Sequence, residues 1–267
     1  MEQLESRTGF VAFLDILGYA NILENNSPGY IANEVFKVLS QARQFTQDTL
    51  PTITDFPPVK KFNYDLINYI SFSDSILISI DLRSVAEKEM TNCIFVYLLY
   101  CSFISRMMHE NGLPVRGAID YGDYIMVDNF IAGLPIIESY KFGSEIELEG
   151  IVFTEVAADK LIDIFKESEY GLKHFVTPYL VQLKDNKEEK VLILSPSPCT
   201  TPIIGDIRGY ILRSFWKHNK DISKSIRMKI DNTEQYLQFL KTFHDHLFLA
   251  KLPEVVLTKK SKRKKKN

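Results

Sequence analysis

Apolar and polar positions along this chain recur with two periods, and each change of period marks an element. Thr8 to Leu14 (TGFVAFL) is a short apolar run that stops at Asp15, the pattern of a buried strand opening into a loop. Ser27-Pro28 reads as an N-cap with proline at the first helical position. Ile31, Val35, Val38, Ala42 and Phe45 then recur at helical spacing and predict a helix to about Thr49. Pro51 to Phe62, with its prolines, predicts a loop.

In the next stretch the period drops to two. Ile67, Tyr69, Ser71 and Ser73 alternate with Asn68, Ile70, Phe72 and Asp74, and residues 75–80 are again strand-like. Two strands meeting there make a hairpin with Asp74 at its tip. Ser84-x-x-Glu87 reads as a capping box opening a long helix to Asn111, stopped by Gly112. Val115 to Tyr121 predicts a strand, Gly122 a turn, and Tyr124 to Ile131 a strand or a loop over the sheet. Leu134 to Phe142 predicts a helix, Ile151 to Phe153 a strand, and Thr154 the cap of a helix through Phe165. Val176 to Leu183 and Lys190 to Leu194 flank a hairpin turn at Asp185-Asn186-Lys187. From Pro202 onward the pattern is mainly helical, with Asn232-Thr233-Glu234 opening a last helix through Leu249.

Summed, these elements predict an α+β fold, a mixed sheet with a βαββαβ core. Helices cover one face and leave the other for a partner or ligand. Residues 1–195 read as the main domain, 196–258 as a mainly helical C-terminal extension, and 259–267 as a solvated basic tail.

Composition is that of an ordinary globular protein, 45% hydrophobic and 25% charged over 267 residues. The net charge of −2 conceals an asymmetry: seven of the last nine residues are Lys or Arg, so the rest carries −9. An acidic body is a poor match for nucleic acid, so no specific nucleic-acid partner is expected. The polar, acidic opening lacks a secretory leader pattern, and the uncharged run Met90 to Ser105 is shorter than a membrane span. Three cysteines in apolar settings fit a reducing cytoplasm, and the basic tail predicts at most weak, salt-sensitive contact with anionic surfaces, so no stable membrane association is expected. Cys93 and Cys101, eight apart on one helix, read as core residues, and Cys199 receives no role. His244 and His246, two apart on a helix, point in different directions and read as solvated.

The candidate chemistry lies in Asp15 and Asp74. Two carboxylates at neighbouring strand ends repel unless a cation sits between them, and hard divalent ions prefer such oxygen ligands. A pair of Mg²⁺ or Mn²⁺ ions can clamp the attacking and leaving oxygens of a phosphoryl displacement. Gly18 lets the backbone after Asp15 approach a triphosphate. Taken singly, each aspartate is also a common turn former.

Gly9 to Tyr19 (GFVAFLDILGY) and Phe72 to Ile76 (FSDSI) resemble the two metal-aspartate motifs of class III nucleotide cyclases. Leu113 to Ile119 (LPVRGAI) with Gly122 is similar to that family's next strand, and Gly133 to Lys141 (GLPIIESYK) to its catalytic helix. The resemblance spans roughly Thr8 to Leu161 and points to the pyrimidine cyclases of the Pycsar antiphage system, which make cyclic UMP or cyclic CMP.

What the resemblance implies is a homodimer with composite sites. Asp15, Asp74 and the Ile16 carbonyl would hold two metal ions, and Phe13, Leu17, Gly18 and Tyr19 would line the nucleoside triphosphate. Ile137 and Lys141 stand where adenylate and guanylate cyclases carry Asn and Arg, so Lys141 would supply a point charge to catalysis. Ile70 stands where those enzymes carry an adenine-selecting lysine, and Tyr69 becomes the candidate base contact. Arg116 is expected to pair with a carboxylate such as Glu138.

Overall fold

The computed structural model describes residues 6–53, 57–127, 130–166, 172–196 and 206–247. Among them, eight strands form one sheet: β1 (Ser6–Ile16), β2 (Ile67–Phe72), β3 (Ser75–Ile80), β4 (Val115–Val127), β5 (Phe130–Gly133), β6 (Gly150–Phe153), β7 (Val176–Leu183) and β8 (Lys187–Leu194). Their order is β2-β3-β1-β4-β6-β8-β7, with β5 paired to β4. Only β4 and β6 run parallel, so the sheet is mixed, as the element order predicts. The helices are α1 (Tyr19–Asn25), α2 (Pro28–Tyr30), α3 (Lys37–Ile53), α4 (Pro57–Lys61), α5 (Glu87–Glu110), α6 (Leu134–Glu145), α7 (Glu155–Phe165), α8 (Ile207–Trp216) and α9 (Lys224–Leu247).

Alternation along β1 divides the core. Phe10, Ala12, Leu14 and Ile16 point to one face and pack against α3, α5 and α7. Val11, Phe13 and Asp15 point to the other. The central helix of the first face is α5, buried all round from Cys93 to Ser102 as its continuous apolar pattern requires. It is long and apolar enough to cross a membrane, but most of that stretch is packed inside the protein. Cys93 and Cys101 are free thiols in this core.

The second face is not left open. Helix α6 lies directly on β1 and β4, because glycines meet there: a Cβ on Gly143 would stand 2.8 Å from the Gly117 Cα. At the far end, α8 and α9 cover Val152 of β6 with Val191 and Ile193 of β8.

Other expectations change in detail. The proline-rich stretch is helical at both ends: Pro51 sits inside α3, and Pro57-Pro58 open α4, where missing N–H groups cost nothing. Helix α5 starts at Glu87 after an N-cap at Ala86, and the Ser84 box does not form. Gly122 lies within β4, opposite Gly9, where Pro135 leaves little room for a side chain. Helix α9 runs through Asn232-Thr233-Glu234 without a break. Asn232 Nδ2 donates to the Glu147 carbonyl, and the Thr233 hydroxyl accepts from the Glu149 amide. Cys199 and the basic tail lie outside the described residues, as do the His244 and His246 side chains.

Candidate functional site

Antiparallel pairing sets Asp15, near the end of β1, opposite Ser75 of β3 on one side and Arg116 of β4 on the other. The β2–β3 hairpin turns on Ser73-Asp74, with Ser73 taking a positive φ of 53°. The Ile16 N–H then donates to the Asp74 carbonyl at 2.8 Å. Two aspartates 59 residues apart in the chain are thus locked side by side at one end of the sheet. Both are partly exposed, so neither is sealed in the interior.

Burial raises the Asp15 pKa, the Arg116 charge opposes it, and the Asp74 charge raises it further. Arg116 Nε donates to Asp15 Oδ2 at 3.2 Å. Its Nη1 donates to the carbonyls of Ser144 and Ile146, at 3.1 and 3.0 Å, at the C-terminal end of α6. Arg116 therefore joins Asp15 to α6 rather than pairing with Glu138. Glu138 instead takes a bond from Lys141 Nζ at 3.1 Å on the exposed side of α6. Lys184, on the β7–β8 turn, is a further cation acting on Asp15. Sequence alone gave no reason to single it out.

The predicted nucleotide residues divide. Phe13 shares the Asp15 face and meets Tyr140 of α6 edge-on, with ring centroids 5.2 Å apart. Gly18 adopts φ +77°, a left-handed turn that releases the chain from β1 into α1. Tyr19 follows, its phenol pKa raised by burial and by the Asp74 charge. Leu17 departs from expectation: its side chain is buried with the C-terminal helices, and its N–H is taken by the Pro114 carbonyl. Tyr69 departs further. Residue alternation in β2 sends its side chain to the opposite face, where its hydroxyl donates to the Leu39 carbonyl. Tyr69 thus points away from the face that carries Phe13 and Asp15; Ile70 is the neighbour that shares the face of Phe13.

No group of three or more His, Cys, Asp or Glu side chains is assembled for a metal among the described residues. The donors brought together at this site are two carboxylates, with Ile16 next to Asp15 in the chain. The carboxylates are hard oxygen donors; burial first, and the Asp74 charge after it, raise the Asp15 pKa, and a divalent cation would offset both costs. The residues present fit such an ion.

No protein-family model matches the chain, and no curated protein matches it. Among solved structures, it is similar to the catalytic core of a rhodopsin-guanylyl cyclase with converted specificity, in complex with ATPαS. That match has 12% identity over 73% of this chain and 99% of the other, with a TM-score of 0.48. It is also similar to the guanylyl cyclase domain of the RhoGC fusion protein from Blastocladiella emersonii, at 10% identity, 71% and 97% coverage and a TM-score of 0.47. A third is an adenylate/guanylate cyclase/hydrolase from Silicibacter pomeroyi, at 14% identity, 72% and 98% coverage and a TM-score of 0.40. Likeness at this level concerns the path of the chain and leaves the chemistry to the residues themselves.

Proposed function

We propose that this protein is a cytoplasmic pyrimidine nucleotide cyclase, converting UTP, or secondarily CTP, to the 3′,5′-cyclic nucleotide and pyrophosphate. The single observation that carries the reading is the side-by-side placement of Asp15 and Asp74, each inside a motif that resembles those of class III cyclases. The resemblance to the Pycsar enzymes adds the pyrimidine substrate and a role as a messenger in antiphage defence. Ile70 in place of an adenine-reading lysine agrees with a base other than a purine.

Asp15, Asp74 and the Ile16 carbonyl would hold two Mn²⁺ or Mg²⁺ ions, which supply charge neutralisation on the triphosphate and on the ribose 3′-oxygen. The ribose 3′-oxygen bonds to the α-phosphorus, the α–β bridging bond breaks, pyrophosphate leaves and the hydroxyl proton passes to solvent. Phe13, Gly18 and Tyr19 line the approach. Arg116 fixes the direction of the Asp15 carboxylate, so its geometry is set before substrate arrives.

A homodimer completes the site. Phe130, Leu134, Ile137 and Tyr140 form an exposed apolar strip along β5 and α6, and Phe72 at the hairpin is also exposed. Such strips mark interaction surfaces. A second copy seated there would set its own Lys141 beside the neighbouring aspartate pair. The pairing of Lys141 with Glu138 favours one alternative, a catalytically lapsed cyclase fold that binds nucleotide as a regulator.

The test is incubation of the purified protein with each nucleoside triphosphate and Mn²⁺, with products identified by mass spectrometry. Cyclic UMP or cyclic CMP is expected. The reading fails if no cyclic product forms while Asp15→Ala and Asp74→Ala leave nucleotide binding unchanged. Calorimetric binding without pyrophosphate release would establish the lapsed alternative.

A further inference from the structure

In the segment joining α8 to α9, His218 and Asn219 adopt φ values of 65° and 53°, a left-handed pair like that of the Asp185-Asn186 hairpin turn but here outside any hairpin. What holds them there is a set of bonds to two distant loops.

The first loop is the one that leaves Asp15. Asn26 Nδ2 donates to the His218 carbonyl at 2.7 Å, and Asn25 Nδ2 to the Asn219 carbonyl at 2.8 Å. Asn219 Nδ2 returns a bond to Asn26 Oδ1 at 2.8 Å, and the Asp221 amide donates to Asn21 Oδ1. Asn21, Asn25 and Asn26 belong to α1 or its C-cap, and α1 begins directly after Gly18.

The second loop is the α5–β4 turn, which leads into Arg116. His218 Nε2 donates to the Asn111 carbonyl at 2.7 Å, and Lys220 Nζ donates to the Gly112 carbonyl at 2.7 Å. With Nε2 as donor, neutral His218 accepts the Tyr30 hydroxyl at Nδ1, 3.0 Å away. A Cβ on Gly18 would stand 3.2 Å from Lys220 Cδ, and one on Gly112 would stand 2.5 Å from Lys217 Cβ. Both glycines have positive φ, 77° and 80°, so the segment packs against bare backbone at each loop. Lys220 itself is buried, with its ammonium 5.5 Å from the Phe215 ring centre.

We propose that residues 217–221 are a positioning strap for the nucleotide site, with Lys220 as its pin. The strap fixes the Leu17–Tyr19 loop relative to Arg116, and so fixes the backbone that faces the triphosphate. Its members are positioning residues: they touch the loop and not the reacting atoms. The proposal rests on the cyclase reading of Asp15 and Asp74. It makes the C-terminal helices a part of substrate binding.

The experiment uses the full chain, wild type and two variants. Lys220→Met keeps the stem against Gly18 and removes the ammonium. Asn25→Ala removes two strap bonds, to the Asn219 carbonyl and to Asp221 Oδ2, from an exposed position outside the core. Amide hydrogen exchange is followed across the chain, and binding of UTP with Mn²⁺ is measured by calorimetry beside KM and kcat. The strap predicts faster exchange over residues 17–26 in both variants and, in Lys220→Met, about tenfold weaker UTP binding. The KM should carry that loss while kcat changes little. Unchanged exchange over 17–26 in both variants overturns the proposal, as does faster exchange with unchanged UTP affinity. Wild-type protein that binds no triphosphate sinks the cyclase reading and the strap's role in substrate binding together. The exchange data distinguish that outcome from a strap that is merely loose.

Discussion

The Ile16 amide donates to the Asp74 carbonyl across 2.8 Å, and that one bond ties together the two backbone segments that carry the candidate metal ligands. Main-chain atoms make it, so it survives side-chain substitution at either aspartate. Asp74→Ala should therefore fold with little change in melting temperature, and Asp15→Ala should also fold, less the contribution of its bond from Arg116. Each should lose cyclic product by about a hundredfold or more, since a metal ligand contributes several kcal/mol at the transition state. Circular dichroism and product quantification check the two halves. Equal loss of fold and activity would contradict the argument.

Arg116 is the second determinant, because one guanidinium serves three acceptors on two elements. Arg116→Met strips Asp15 of its cation and leaves two carbonyls at the end of α6 without their donor. About 3 kcal/mol of stability should be lost, read from urea denaturation. Lys in its place restores the charge but not the fork, so Arg116→Lys should recover only part of that loss.

Much of this site is legible in the sequence, for definite reasons. The hairpin at Ser73-Asp74 is announced by two alternating runs with a two-residue break, and Asp15 by the abrupt end of an apolar run. The partner of Arg116 is not legible, since it depends on the register of β1 against β4, and a slip of one residue would turn the side chain to the other face. Tyr69 fails for a related reason: the alternation is visible, but which set of residues faces α3 is decided by packing. The Asn232-Thr233-Glu234 group resembles a helix start because capping residues are polar and short. Here the same chemistry serves tertiary bonds to residues 147 and 149. Ser84 and Gly122 show the same limit, with local signals overridden by contacts distant in the chain.

Close approach of α6 to the sheet gives a third prediction. A Cβ at Gly143 would meet the Gly117 Cα at 2.8 Å, and both partners are backbone, which cannot move aside cheaply. Gly143→Ala should destabilise the protein by about 1–3 kcal/mol, from overpacking. It should also lift α6 away from Phe13, so the Phe13–Tyr140 contact loosens. Chemical denaturation measures the first effect. An unchanged midpoint would show that the helix can slide without cost.

His109 supplies a pH signature. Burial lowers its pKa, but the Glu149 carboxylate, 2.7 Å from Nδ1, overrides this and leaves it raised above 6.5. Glu110 lies nearby, and Tyr210 stacks on the ring with centroids 4.1 Å apart. A raised histidine pKa means the protonated fold is favoured. The stabilisation is complete below about pH 6.5 and disappears as pH climbs through the elevated folded value. Lys220 acts with the opposite sign: burial lowers its pKa to about 8, and the cost of its charge fades as pH rises beyond that. Wild-type melting temperature minus that of His109→Gln isolates the first effect. The difference should be largest near pH 6 and shrink toward pH 9; a difference that grows with pH would refute the assignment.

The apolar strip on α6 yields the last prediction. Leu134 is 66% exposed at the first position of the helix, so an acidic residue there suits the helix dipole and should not weaken the monomer. Placed in a dimer interface, the same carboxylate would be desolvated without a partner and would oppose assembly. Leu134→Asp should therefore keep its melting temperature at low protein concentration yet sediment as a monomer where the wild type sediments as a dimer. If each site takes Lys141 from the neighbouring copy, turnover should fall with the dimer fraction and recover at high protein concentration. A variant that stays dimeric, or a monomer with full turnover, would place the interface elsewhere and confine the chemistry to one chain.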